Sequence, residues 1–147
     1  MRLRLSVARF VLLALVATSA AGCSSTTAPD LADSQITPPT FTTQTFAGTL
    51  SPGGTLFYSI VVNQQGPVSL TLAAVQTPGG GALTTPVGIG VGVPQATGCT
   101  RSTSLTTAPG LAAQLTVTLN PGTYCAAVYD TGTVSSAVNF AMRITYP

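Results

Sequence analysis

The side chains that could do chemistry in these 147 residues are few. The carboxylates are Asp30, Asp33 and Asp130, the thiols Cys23, Cys99 and Cys125, and the cations Arg2, Arg4, Arg9, Arg101 and Arg143. No His, Glu, Lys or Trp occurs. General acid–base catalysis draws mainly on His, Glu, Asp and Lys, so three Asp are a thin set. Asp30 and Asp33 also sit in a stretch rich in Ser, Thr and Pro, a poor setting for a buried catalytic pair. Ser and Thr are abundant, but a hydroxyl nucleophile needs a base to activate it. A zinc site wants about four Cys, His or carboxylate ligands, and the C-terminal body has two thiols and one Asp. The expectation is a non-enzyme with no cofactor and no metal.

Gly88, Gly90 and Gly92 alternate along one run, which invites comparison with a nucleotide loop. A dinucleotide loop needs a further Gly and a helix behind it to face the phosphates. Here Val93 and Pro94 follow, so no nucleotide is expected; alternating Gly instead leaves room for a backbone or a ring to pack closely. Two Arg in the body are too few for a nucleic-acid surface. Phe57, Tyr129 and Tyr146 would form an aromatic surface for sugar rings if they share an exposed face, and otherwise complete the core. The many Thr are expected on outward strand faces as β-branched polar residues; a regular array of them would order water or meet a glycan.

The elements that position these groups begin with an export signal. Arg2, Arg4 and Arg9 precede the apolar run Phe10–Ala17 and the small residues Ala20, Ala21 and Gly22. A basic start, a short apolar core and a small-residue exit make a secretory signal over residues 1–22. An apolar run of about 12 residues falls short of the roughly 20 that span a bilayer as a helix. Residues 23–40 carry Pro29, Pro38 and Pro39 among Ser and Thr with no apolar period, and read as a flexible tether.

From Phe41 the period is two. Leu56, Tyr58, Ile60 and Val62 share one face; so do Val68, Leu70, Leu72 and Ala74, then Val87, Ile89, Val91 and Val93. The same alternation runs through Leu115–Leu119, Tyr124–Val128 and Phe140–Tyr146. Strand side chains point alternately to opposite faces, so each run builds one apolar face. Turn chemistry separates them: Ser51–Gly54, Gln65–Pro67, Pro78–Gly81, Ala108–Gly110, Asn120–Gly122 and Asp130–Gly132. The expected fold over 41–147 is all-β, an antiparallel β-sandwich of about eight strands behind a signal helix and tether. Cys99 and Cys125, left in an exported domain, are expected to form a disulfide.

Two resemblances add to this reading. Ala20-Ala21-Gly22-Cys23 resembles a bacterial lipobox, with Ala20 where Leu is commoner. The resemblance implies lipid on the Cys23 sulfur, cleavage after Gly22 and added acyl chains such as palmitate. Ser24 at the next position implies the outer membrane. The segments Phe46–Val62, Leu115–Tyr124 and Phe140–Tyr146 resemble bacterial pre-peptidase C-terminal domains. Those are β-sandwich modules attached to secreted proteases and other exported enzymes, and some bind polymers such as collagen or chitin; the resemblance implies a jelly-roll-like sandwich here. The chain departs from them in lacking a preceding peptidase and in having Val87–Val91 where acidic residues often stand. The expected function is a non-catalytic, lipid-anchored module of the cell envelope, with the membrane and an envelope protein or glycan as partners. The alternatives are a glycan- or matrix-binding adhesin and a subunit of a secreted hydrolase. The formal charge of +2 belongs to the signal: without residues 1–22, two Arg face three Asp, about −1.

Overall fold

A computed structural model describes residues 38–147. Eight strands form from the period-two runs and the Thr-rich segments beside them: β1 Thr42–Leu50, β2 Thr55–Val62, β3 Gly66–Gln76, β4 Val87–Gln95, β5 Gly98–Thr107, β6 Leu115–Leu119, β7 Gly122–Tyr129 and β8 Val138–Tyr146. They make two four-stranded sheets, β1-β8-β3-β6 and β2-β7-β4-β5, with every pairing antiparallel. No helix occurs among the described residues. Only β4–β5 is a hairpin within one sheet; each other connection carries the chain to the opposite sheet. A β-sandwich results, its core filled by the inward phase of both sheets.

The apolar phases read from the sequence are the core phases. Ile60 and Val62 on β2, Val87, Ile89 and Val91 on β4, and Phe140, Met142 and Ile144 on β8 are all buried. A fully buried side chain of this size contributes about 1.5–3 kcal/mol over exposure. Phe46 on β1 stacks on Tyr58 of β2 with ring centroids 4.4 Å apart, and Phe140 meets Tyr58 edge-on. The Tyr58 hydroxyl donates to the Ala47 carbonyl at 3.2 Å, and burial raises its pKa.

Two phases differ from the sequence expectation. On β3 the register slips between Leu72 and Ala74, where a bulge inserts one residue. Val75 is consequently the buried residue opposite Phe140, while Ala74 turns outward opposite Ala141. On β4 the run ends early, because Val93 is 50% exposed beyond a second bulge between Val91 and Gly92. Backbone groups at the first bulge are not left unpaired. Gln114 accepts the Leu72 N–H through Oε1 at 2.8 Å and donates to the Leu72 carbonyl through Nε2 at 3.3 Å. Its side-chain amide thus continues the ladder that β6 leaves at Leu115.

The Ser51–Gly54 connection is a turn closed by the Gly54 N–H on the Ser51 carbonyl, 2.8 Å, with Gly53 at φ 68°. Pro at its second position and positive-φ Gly at its third are what a type II turn requires.

Candidate functional site

Cys23, Asp30, Asp33, the signal and most of the tether lie outside the described residues. Of the sequence candidates that remain, the thiols come first. Cys99 and Cys125 form a disulfide, with Cα atoms 5.9 Å apart. Cys125 is opposite Gly92 on β7, and Cys99 follows the β4–β5 turn, so the bond ties the tip of that hairpin to β7. Chain-entropy arithmetic puts its contribution at about 3–4 kcal/mol.

The three aromatic candidates do not form a platform. Tyr146 is only 7% exposed and belongs to the core phase of β8, in the other sheet. Phe57 and Tyr129 do share the outer face of β2 and β7, and Phe57 is 43% exposed. Tyr129, however, has both ring faces occupied. Below it lies Gly88, where an added Cβ would overlap the ring. Above it sits the Arg101 guanidinium, 3.9 Å from the ring centroid. No open ring face is left there for a sugar, and Phe57 stands alone. The alternating Gly face finds its use in the same place: Gly88 seats the ring, and Gly92 takes the close approach of the Thr100 carbonyl from β5.

Asp130 is a structural acid. Its Oδ2 accepts the Gly53 N–H at 2.8 Å, and its Oδ1 accepts those of Gly132, Thr133 and Val134 at 2.8–3.0 Å. The Gly53 bond first, then those from Val134, Thr133 and Gly132, hold the carboxyl below its ordinary value against a smaller opposing effect of desolvation. Among the described residues no cluster of three or more His, Cys, Asp or Glu could hold a metal.

The outer face of the β1-β8-β3-β6 sheet carries features that no local pattern announces. Strand register sets its side chains in rows. One row runs Thr43, Thr145, Ser69 and Thr116 across all four strands, with Thr43 bonded to Thr145 and Ser69 to Thr116, each at 3.0 Å. Outward Thr, expected from the sequence as β-branched polar residues, here fall into one cross-strand row bonded in two pairs. Further along, Ala47, Ala141 and Ala74 lie side by side on β1, β8 and β3, and next to them Thr49, Asn139 and Gln76. The small Ala row leaves a trough of about 470 Å³ between taller neighbours. Thr49 donates to Asn139 Oδ1 at 2.9 Å, fixing the orientation of that amide. Arg143, one outward step beyond Ala141, turns away to donate to the Leu111 carbonyl at 3.1 Å. Sequence reading missed these residues because Ala74 reaches the outer face only through the bulge, and the rows exist only once register is set.

No protein-family model matches the chain, and no curated protein does. A solved structure from Bacillus endospore appendages, described as a novel family of disulfide-linked pili, is similar at 16% identity, with a TM-score of 0.38 over 73% of this chain and 88% of that one.

Proposed function

We propose that this protein is a non-catalytic binding module, anchored in the cell envelope by lipid on Cys23 and held off the membrane by residues 24–40. The basic start, the short apolar core and the Ala20–Cys23 exit support the anchor. Each buried acyl CH₂ contributes about 0.8 kcal/mol, so two or three chains hold durably where one does not. Ser24 supports the outer membrane as the destination.

The observation that carries the non-catalytic reading is Asp130. The one carboxylate side chain among the described residues is committed to four backbone N–H groups, which favour its charged form and leave it ill-suited to trade protons near neutral pH. The strand orders 1-8-3-6 and 2-7-4-5 support a jelly-roll connection for the sandwich, in keeping with the resemblance to pre-peptidase C-terminal modules.

Detergent phase separation of the protein from its native envelope tests the anchor. Wild type should enter the detergent phase and Cys23→Ser the aqueous phase. Equal partitioning of the two would overturn the anchor, and turnover of ester, peptide or glycan substrates by the purified protein would favour a hydrolase subunit instead.

A further inference from the structure

We propose that β2 is the seat of a symmetric dimer, pairing antiparallel with β2 of a second copy of this chain about a two-fold axis at Ser59. The inference goes beyond the binding-module reading and does not depend on the anchor. Among the described residues β2 pairs only with β7 and β1 only with β8, so each sheet ends in an open edge. The two edges lie on one side of the sandwich, where Phe46 stacks on Tyr58 and the Tyr58 hydroxyl reaches the Ala47 carbonyl.

Folded proteins blunt open edges with charge, bulges, proline or short strands. The opposite side of this sandwich does so: β5 carries Arg101 and a bulge against β4, and β6 is five residues long. β2 has none of these devices. It runs Thr-Leu-Phe-Tyr-Ser-Ile-Val-Val, its register on β7 unbroken from Thr55 to Val62. Five large apolar side chains are exposed among the described residues, and three of them stand on this side. Phe57 and Val61 point outward from β2, Val61 at 54% exposure, and Phe41 immediately precedes β1. Apolar surface gathered on an unguarded edge marks a site of association.

The spacing names the partner. Phe57 and Val61 lie two residues either side of Ser59, which is itself exposed. Directly opposite residues of an antiparallel pair point to the same face. A two-fold axis at Ser59 therefore sets Phe57 of each copy opposite Val61 of the other, an aromatic against a β-branched side chain, which is a favourable cross-strand pair. On the inner face the same register sets Leu56 against Val62 and Tyr58 against Ile60, which joins the two cores. No Asp or Arg lies on β1 or β2, so the contact buries neither a carboxylate nor a guanidinium. The side of the sandwich measures about 27 Å by 20 Å, so pairing buries roughly 1,100 Å² over both copies, enough for a specific interface. Because the pairing is isologous, it uses each edge once and closes as a dimer, not a fibre.

Two measurements on the full-length protein in excess detergent micelles test this. Light scattering after size-exclusion chromatography, at about 0.1 mM protein, should give twice the chain mass for wild type and one chain mass for Val61→Lys. The dissociation constant should rise at least tenfold in that variant, with circular dichroism verifying that it folds. For the register, copies bearing Phe57→Cys are mixed with copies bearing Val61→Cys and oxidised mildly. The mixture should give a reducible cross-linked dimer, and neither variant alone should. Cys23 is present in every variant, so a cross-link through it would appear in the single variants too. A monomeric wild type, or a dimer that keeps its mass in Val61→Lys, overturns the proposal. So does a mixture that cross-links no more than the single variants do. Loss of the lipid anchor would alter neither readout, so the two readings fail separately.

Discussion

The Asp130 carboxylate accepts the Gly53 N–H at 2.8 Å across 77 residues of sequence, tying the β1–β2 turn to the β7–β8 loop. The other oxygen holds that loop's own N–H groups at Gly132, Thr133 and Val134. Because these bonds favour the charged form, the folded-state pKa lies below the ordinary 3.8. The stabilisation is thus fully present above the unfolded-state value and is lost as pH falls through the depressed folded-state value. Asp130→Asn should melt below wild type from pH 5 to 8, and the gap should close as pH is taken well below 3.8. Thermal melts across pH 2–8 measure it; a gap that widens in acid would contradict the assignment.

Gly88 and Gly92 make different demands on their neighbours. A Cβ at Gly88 meets the Tyr129 ring, a side chain able to swing away, whereas at Gly92 it meets the Thr100 carbonyl, part of a paired strand. Gly88→Ala should cost about 1–3 kcal/mol, and Gly92→Ala should cost more. Adding Tyr129→Ala should recover part of the Gly88→Ala loss, giving a non-additive double-mutant cycle in urea denaturation.

Gln114→Ala should destabilise by about 1–3 kcal/mol, since it leaves the Leu72 N–H at the β3 bulge without its partner and the Leu72 carbonyl with the Gly110 N–H alone. Gln114→Glu keeps the acceptor for the Leu72 N–H but loses the donor. Its stability in chemical denaturation should lie between those of wild type and Gln114→Ala.

Much of the sandwich was legible because its inner phases are pure. Leu56 to Val62 and Phe140 to Tyr146 alternate without interruption, and the core uses them so. The limits of reading have physical causes. β1 and β5 are edge strands whose outward residues are mostly Thr and Ser, so they show no apolar alternation to count. The bulge after Leu72 moves Ala74 from the expected core phase to the outer face, and nothing local marks the slip. Tyr146 and Tyr129 are alike as residue types, but one closes the core and the other is sandwiched between Gly88 and Arg101. The Cys99–Cys125 pair was legible by elimination, whereas the trough depends on register across three strands.

Removing the disulfide with Cys99→Ala and Cys125→Ala should cost about 2–5 kcal/mol. The loss should reproduce the effect of reductant on wild type in equilibrium denaturation. Thiol titration of the denatured, unreduced chain should accordingly find neither Cys99 nor Cys125 reactive.

Mass spectrometry of the N-terminal peptide, from protein isolated from its own membrane, reads the proposed lipid anchor at Cys23 without intermediary. The mature chain should begin at Cys23 and carry a diacylglyceryl group on its sulfur. A free thiol at Cys23, or a mature chain that begins at any other residue, would contradict it.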